Sequence, residues 1–103
     1  MKNLAGYELT FEYRFKGKGA AKKCESQRFF IKCVEIWAND NIQTYGFLTV
    51  CDVLKQLDRP VTMRDSLHGW TKDGEPVEFI FLHDGKYSLK ICLKPEKMLL
   101  EYL

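Results

Sequence analysis

From Tyr7 to Phe15 the chain alternates apolar and polar side chains without a break: Tyr7, Leu9, Phe11, Tyr13 and Phe15 against Glu8, Thr10, Glu12 and Arg14. Successive side chains of an extended chain point to opposite faces, so this alternation predicts a strand with one buried face. Gly17 and Gly19 then break it. From Ala20 to Asn39 the spacing changes to three and four. Ala20, Cys24, Gln27, Ile31, Val34 and Ala38 align, and Phe30 and Trp37 widen the stripe. That pattern predicts an amphipathic helix with its apolar stripe on a core. Asn39-Asp40-Asn41 is read as its end, because these side chains bond nearby backbone and favour turns.

Tyr45-Gly46-Phe47-Leu48 reads as a short extended lead-in to a second helix. Thr49 is placed at the N-cap, with Asp52 three residues on completing a capping-box pair and Val53, Leu54 and Leu57 on the buried side. Pro60 disfavours helical geometry at Arg59, which limits this helix to about two turns. Met63 to Leu67 fits either a short third helix or a loop. After Gly69-Trp70 come two strand-like runs, Val77 to His83 and Tyr87 to Leu93, joined by Asp84-Gly85. That dipeptide predicts a tight hairpin, since glycine accepts positive φ at little cost. Tyr87, Leu89, Ile91 and Leu93 share one face, Val77, Phe79 and Phe81 another, and both sets are expected to meet the face of the first strand. The expected fold is α+β: an antiparallel three-stranded sheet in β-α-α-β-β order packed on two helices. Residues 1–103 are expected to form one domain, with no repeat and no low-complexity tract to divide them.

Composition supports a packed core: 46% of the residues are hydrophobic and 14% aromatic. No apolar run approaches the roughly 20 residues that a membrane span requires. Met1-Lys2-Asn3 leads into no signal-like segment, so a soluble, cytoplasmic protein with no membrane role is expected. Cys24, Cys33, Cys51 and Cys92 are widely spaced, form no Cys-x-x-Cys pair and have only His68 and His83 as co-ligands. They are read as reduced thiols acting as small buried hydrophobes, and neither a metal site nor a cofactor is expected. The formal net charge is +2, carried unevenly: residues 1–35 hold eight Lys or Arg against four Glu.

Candidate sites are few. Gly17-Lys18-Gly19 lacks the later glycine and the hydroxyl residue of a phosphate-binding loop. Lys16, Lys18, Lys22 and Lys23 near a helix start, with Lys86 in the hairpin, are the candidate phosphate or nucleic-acid contacts. His68 and His83 have no neighbouring pattern that names a reaction, so no catalytic residue is assigned and an enzyme is not expected. Trp70, with His68 and Arg64, is the candidate partner-binding loop, because tryptophan is enriched at binding hot spots. The apolar tail Met98 to Leu103 either docks on its own domain or joins a homodimer or partner through Leu100 and Tyr102.

Tyr45-Gly46-Phe47-Leu48-Thr49-Val50-Cys51-Asp52-Val53-Leu54, Gly69-Trp70-Thr71 and Asp84-Gly85-Lys86-Tyr87-Ser88-Leu89-Lys90-Ile91 resemble small uncharacterised proteins of tailed phages and prophages. Those proteins carry a Tyr-Gly-x-Val-Thr-Val-x-Asp-Leu segment, then Gly-Trp-Thr, then Asp-Gly-Tyr-x-Leu-x-Leu-Pro. About half the chain, residues 45–95, is covered, and Lys86 before Tyr87 departs from the pattern. The resemblance implies an origin on a mobile element and transfers no catalytic residues. The function expected is a non-enzymatic phage or mobile-element protein that binds a host or phage protein, with inhibition of a host defence or nuclease system as one form. The alternative is a winged-helix-like nucleic-acid binder with residues 83–86 as wing tip and Arg59 and Arg64 as basic readers.

Overall fold

The computed structural model describes residues 8–99, folded as β1 (Leu9–Arg14), α1 (Ala20–Tyr45), β2 (Phe47–Thr49), α2 (Val50–Gln56), α3 (Met63–Leu67), β3 (His68–Thr71), β4 (Phe79–Asp84), β5 (Ser88–Leu93) and β6 (Lys97–Met98). The α+β class and the antiparallel three-stranded sheet are as the sequence predicts. The order is richer: a second small sheet, β2-β3-β6, stands beside the main sheet, β1-β5-β4, and residues 63–67 are helical.

Alternation in β1 is realised. Phe11 is buried and Leu9, Tyr13 and Phe15 pack against the core, while Glu8, Thr10, Glu12 and Arg14 are exposed; Tyr7 lies outside the described residues. Pairing runs from Leu9↔Leu93 to Arg14↔Ser88, and on the other side of β5 from Phe79↔Leu93 to Asp84↔Leu89, with a register shift between Phe81 and His83. Phe11, Phe79, Leu89, Ile91 and Leu93 therefore line one face and bury against Cys24, Ile31, Val34 and Ala38 of α1. Tyr87, just before β5, is half exposed and adds little to the buried face. Gly85 has no positive φ. Its amide donates to Ser88 O at 3.0 Å, closing the turn, and a Cβ there would sit 2.6 Å from His83 Nε2.

The helix α1 does not stop near Asn39. The side chains of Asn39 and Asn41 bond carbonyls one turn back, Glu35 O at 3.0 Å and Trp37 O at 2.9 Å, and so remain within the helix. It ends at Gly46, whose φ of 93° is the left-handed conformation that glycine adopts without a Cβ clash, and whose N–H closes on Ile42 O at 2.8 Å. The same Asn39 side chain takes the Val77 N–H at 2.8 Å and donates to Val77 O at 3.0 Å. Glu35 Oε2 accepts from Phe79 N at 2.8 Å. α1 thus satisfies backbone groups at the start of β4, which lies at a sheet edge.

The capping box predicted for α2 is present: Asp52 N–H donates to Thr49 Oγ1 at 3.2 Å, and Val50, Val53 and Leu54 are buried. Two turns on, Asp58 adopts a φ of 57°, and the chain leaves the helix before Pro60. Gly69 and Trp70 are strand residues, not loop. Gly69 is required there, because a Cβ would lie 2.0 Å from Leu48 O across the β2–β3 pair. β6 pairs with β3, Leu99 is fully buried, and its N–H donates to Leu67 O at 2.7 Å. The tail docks on its own domain as far as Leu99; Leu100 and Tyr102 lie outside the described residues.

Candidate functional site

Of the described residues expected to bind a partner, the structure buries two. Trp70 is 1% exposed and belongs to the core, between β2 and β6. His68 is buried beside it, its Nδ1 2.9 Å from Arg64 O, and only Arg64 of the three is exposed. The expectation of a Trp70 contact surface is corrected on burial alone.

Expected basic readers are also divided. The Arg59 guanidinium lies over the rings of Phe11 and Tyr13, 5.1 and 4.8 Å from their centroids, so it covers the start of the sheet. α3, which carries Arg64, is one turn long and holds a buried Asp65 that accepts from Thr62 N at 2.7 Å. The hairpin tip is no free wing. Arg28 on α1 donates to Asp84 Oδ1 at 2.6 Å and to Gly85 O at 2.8 Å. Asp84, read from sequence as turn chemistry, is an anchor instead. Lys18, Lys22 and Lys23 are exposed on the turn before α1 and its first residues, and Lys86 extends over Tyr87.

Lys16 has company. It borders a shallow groove on the outer face of the main sheet with Arg14, Lys90, Glu12, His83 and Ser88. Register explains the gathering: Glu12 pairs with Lys90, Lys90 with His83, and Arg14 with Ser88. His83 Nε2 lies 3.0 Å from Ser88 Oγ, and Arg14 is 3.5 Å from Glu12.

The largest departure from expectation is on α1. Its inner stripe is buried from Ala20 to Ile42, yet Phe29 is 70% exposed, Phe30 43% and Ile36 63%, with Cys33 exposed between them and Trp37 half-buried at the flank. On a helix, residues three, four and seven apart share a face. Phe29, Cys33 and Ile36 therefore form a second apolar stripe, turned away from the core, and Phe30 widens it, while Trp37 at the flank packs against the core. Large apolar side chains scattered singly on a surface are ordinary, whereas these lie together on one helix face. Sequence reasoning assigned both Phe30 and Trp37 to the inner stripe, which holds for Trp37 and not for Phe30, and passed over Phe29 and Ile36. The readable signal is the three- and seven-residue spacing of Phe29, Cys33 and Ile36.

All four cysteines are free. Cys24 and Cys92 are buried as expected, whereas Cys33 is exposed and Cys51 intermediate. Burial pushes the Cys92 thiol up, Glu8 adds to the rise and Lys94 opposes it. Among the described residues no three His, Cys, Asp or Glu side chains gather where they could hold one metal ion, and no helix is long and apolar enough to cross a membrane. Comparison with protein-family models, curated proteins and solved structures gives no match.

Proposed function

We propose that the chain is a non-enzymatic protein-binding domain that engages a protein partner through the outward face of α1. The observation that carries this reading is the exposed band of Phe29, Phe30, Cys33 and Ile36 on a helix already rigidly seated by its opposite face. Aromatic side chains on a rigid element offer large contact area at low entropic cost. The resemblance over residues 45–95 adds the source: a phage or mobile element, with a host protein, such as a defence or nuclease component, as the class of partner.

Affinity capture from host lysate tests the reading. Wild type is expected to retain a partner that Phe29→Glu/Ile36→Glu loses, while Arg64→Ala, remote in sequence and on α3, behaves as wild type. Equal retention by wild type and the α1 variant would remove this surface from consideration.

One observation favours a second reading, anion or nucleic-acid binding: the groove where Arg14, Lys16 and Lys90 converge. It uses the sheet face, not a recognition helix. Binding there would fall steeply with salt, because phosphate contacts release counterions. A gel shift at low ionic strength that Arg14→Ala/Lys90→Ala abolishes would support it, and its absence would dispose of it.

A further inference from the structure

Of the lysines expected to meet phosphate, the fold leaves Lys18, Lys22 and Lys23 around the start of α1 and brings Lys16 to the groove on the outer face of the main sheet. There the strand register sets Arg14 and Lys90 as diagonal neighbours on β1 and β5. Like charges gathered in this way repel one another. Lys16 and Lys90 make no ion pair among the described residues, and the one carboxylate among the described lining residues, Glu12, meets Arg14 at 3.5 Å with both side chains more than half exposed. An ion pair so open to water is weak, and a phosphate competes for Arg14 readily.

The same groove is bordered by aromatic rings. Tyr87, 52% exposed, and half-buried Phe15 line it, tied by the bond from Phe15 N to Tyr87 O at 2.9 Å, and Lys86 Nζ stands 5.5 Å from the Tyr87 ring centroid. Ser88 Oγ and His83 Nε2, 3.0 Å apart, add hydrogen-bonding groups. At about 510 Å³ the groove has room for a nucleotide-sized group. We propose that it takes single-stranded nucleic acid, with phosphates on Arg14, Lys16 and Lys90 and a base stacked on Tyr87. This deepens the reading of the groove as an anion site and rests on it. A duplex hides the faces of its bases in the stack, whereas a single strand leaves them free to lie on a ring. Reading a duplex also takes an element that enters one of its grooves; here α3 is one turn long and Arg28 pins the hairpin tip. Cations beside an exposed ring on an open sheet face suit the single strand.

Fluorescence anisotropy of labelled oligothymidylate and oligouridylate, beside a labelled DNA duplex of equal length, tests this at low ionic strength. Expected is that at least one single strand binds about tenfold tighter than the duplex, with a log–log salt slope of about −2 for three phosphate contacts. Arg14→Ala/Lys90→Ala should abolish binding, whereas Lys22→Ala/Lys23→Ala should bind as wild type. Tyr87→Ala should weaken the single strand about tenfold and keep the salt slope, while Tyr87→Phe, which retains the ring, should match wild type. Glu12→Gln should tighten binding, a gain that a folding defect would not give. Equal affinity for single strand and duplex, with Tyr87→Ala unchanged, overturns the single-strand assignment; if Arg14→Ala/Lys90→Ala still loses both, the anion reading survives. Wild type that binds none of the three nucleic acids, or binding that Arg14→Ala/Lys90→Ala leaves intact, overturns both.

Discussion

Trp70 shows how little residue type says about role until its surroundings are known. Trp70 looked like a contact residue because glycine precedes it in an irregular stretch, yet it is core, and Gly69 is small because the β2 backbone passes against it. Trp70→Ala is expected to cost about 3–5 kcal/mol, the range for truncating a large buried side chain, a heavy loss for a small domain. Phe29→Ala, on an open helix face, is expected to stay within about 0.5 kcal/mol of wild type. Denaturant unfolding of the two variants side by side checks the contrast. At Cys92 the sign of the pH effect follows from its buried thiol, whose pKa rises in the folded state from an ordinary 9.0. Its contribution to stability is complete below the unfolded value and disappears as pH climbs through the raised folded one. Unfolding midpoints of wild type should therefore fall relative to Cys92→Ala as pH passes about 9, a difference that is flat at about pH 7.

Elements were legible where their cause was local. Alternation in β1, the Thr49–Asp52 cap, the stop before Pro60 and the β4–β5 hairpin all follow from neighbours a few residues apart, and all are present. What the sequence concealed depended on distant partners. The end of α1 was misplaced because Asn39 was taken as a turn residue, when its side chain bonds Glu35 one turn back and Val77 on the β4 lead-in. β3 was missed because four residues carry too little pattern; its strand geometry comes from pairing with β2 and β6. The candidate surface was hidden for a related reason: one apolar stripe was assumed for the helix, and a second was folded into it. Asn39→Ala leaves the buried Val77 N–H without its acceptor, and is expected to destabilise by about 1–3 kcal/mol. Faster hydrogen exchange at the Val77 amide than at the Leu89 amide in that variant would show the loss to be local.

At the level of the whole molecule, one helix serves both the fold and the proposed interaction. Its inner stripe closes the core on the main sheet, Glu35 and Asn39 finish the β4 edge, and Arg28 pins the hairpin tip. That seating leaves the opposite side rigid and apolar without any further element over it among the described residues. The account therefore stands on the outward face of α1 being covered when the protein works. The rate at which maleimide labels Cys33, measured in dilute buffer and again in concentrated protein and in host lysate, tests this most directly. Labelling is expected near the rate of a free thiol when dilute and at least about tenfold slower under one of the crowded conditions. An equal rate in all three would contradict it.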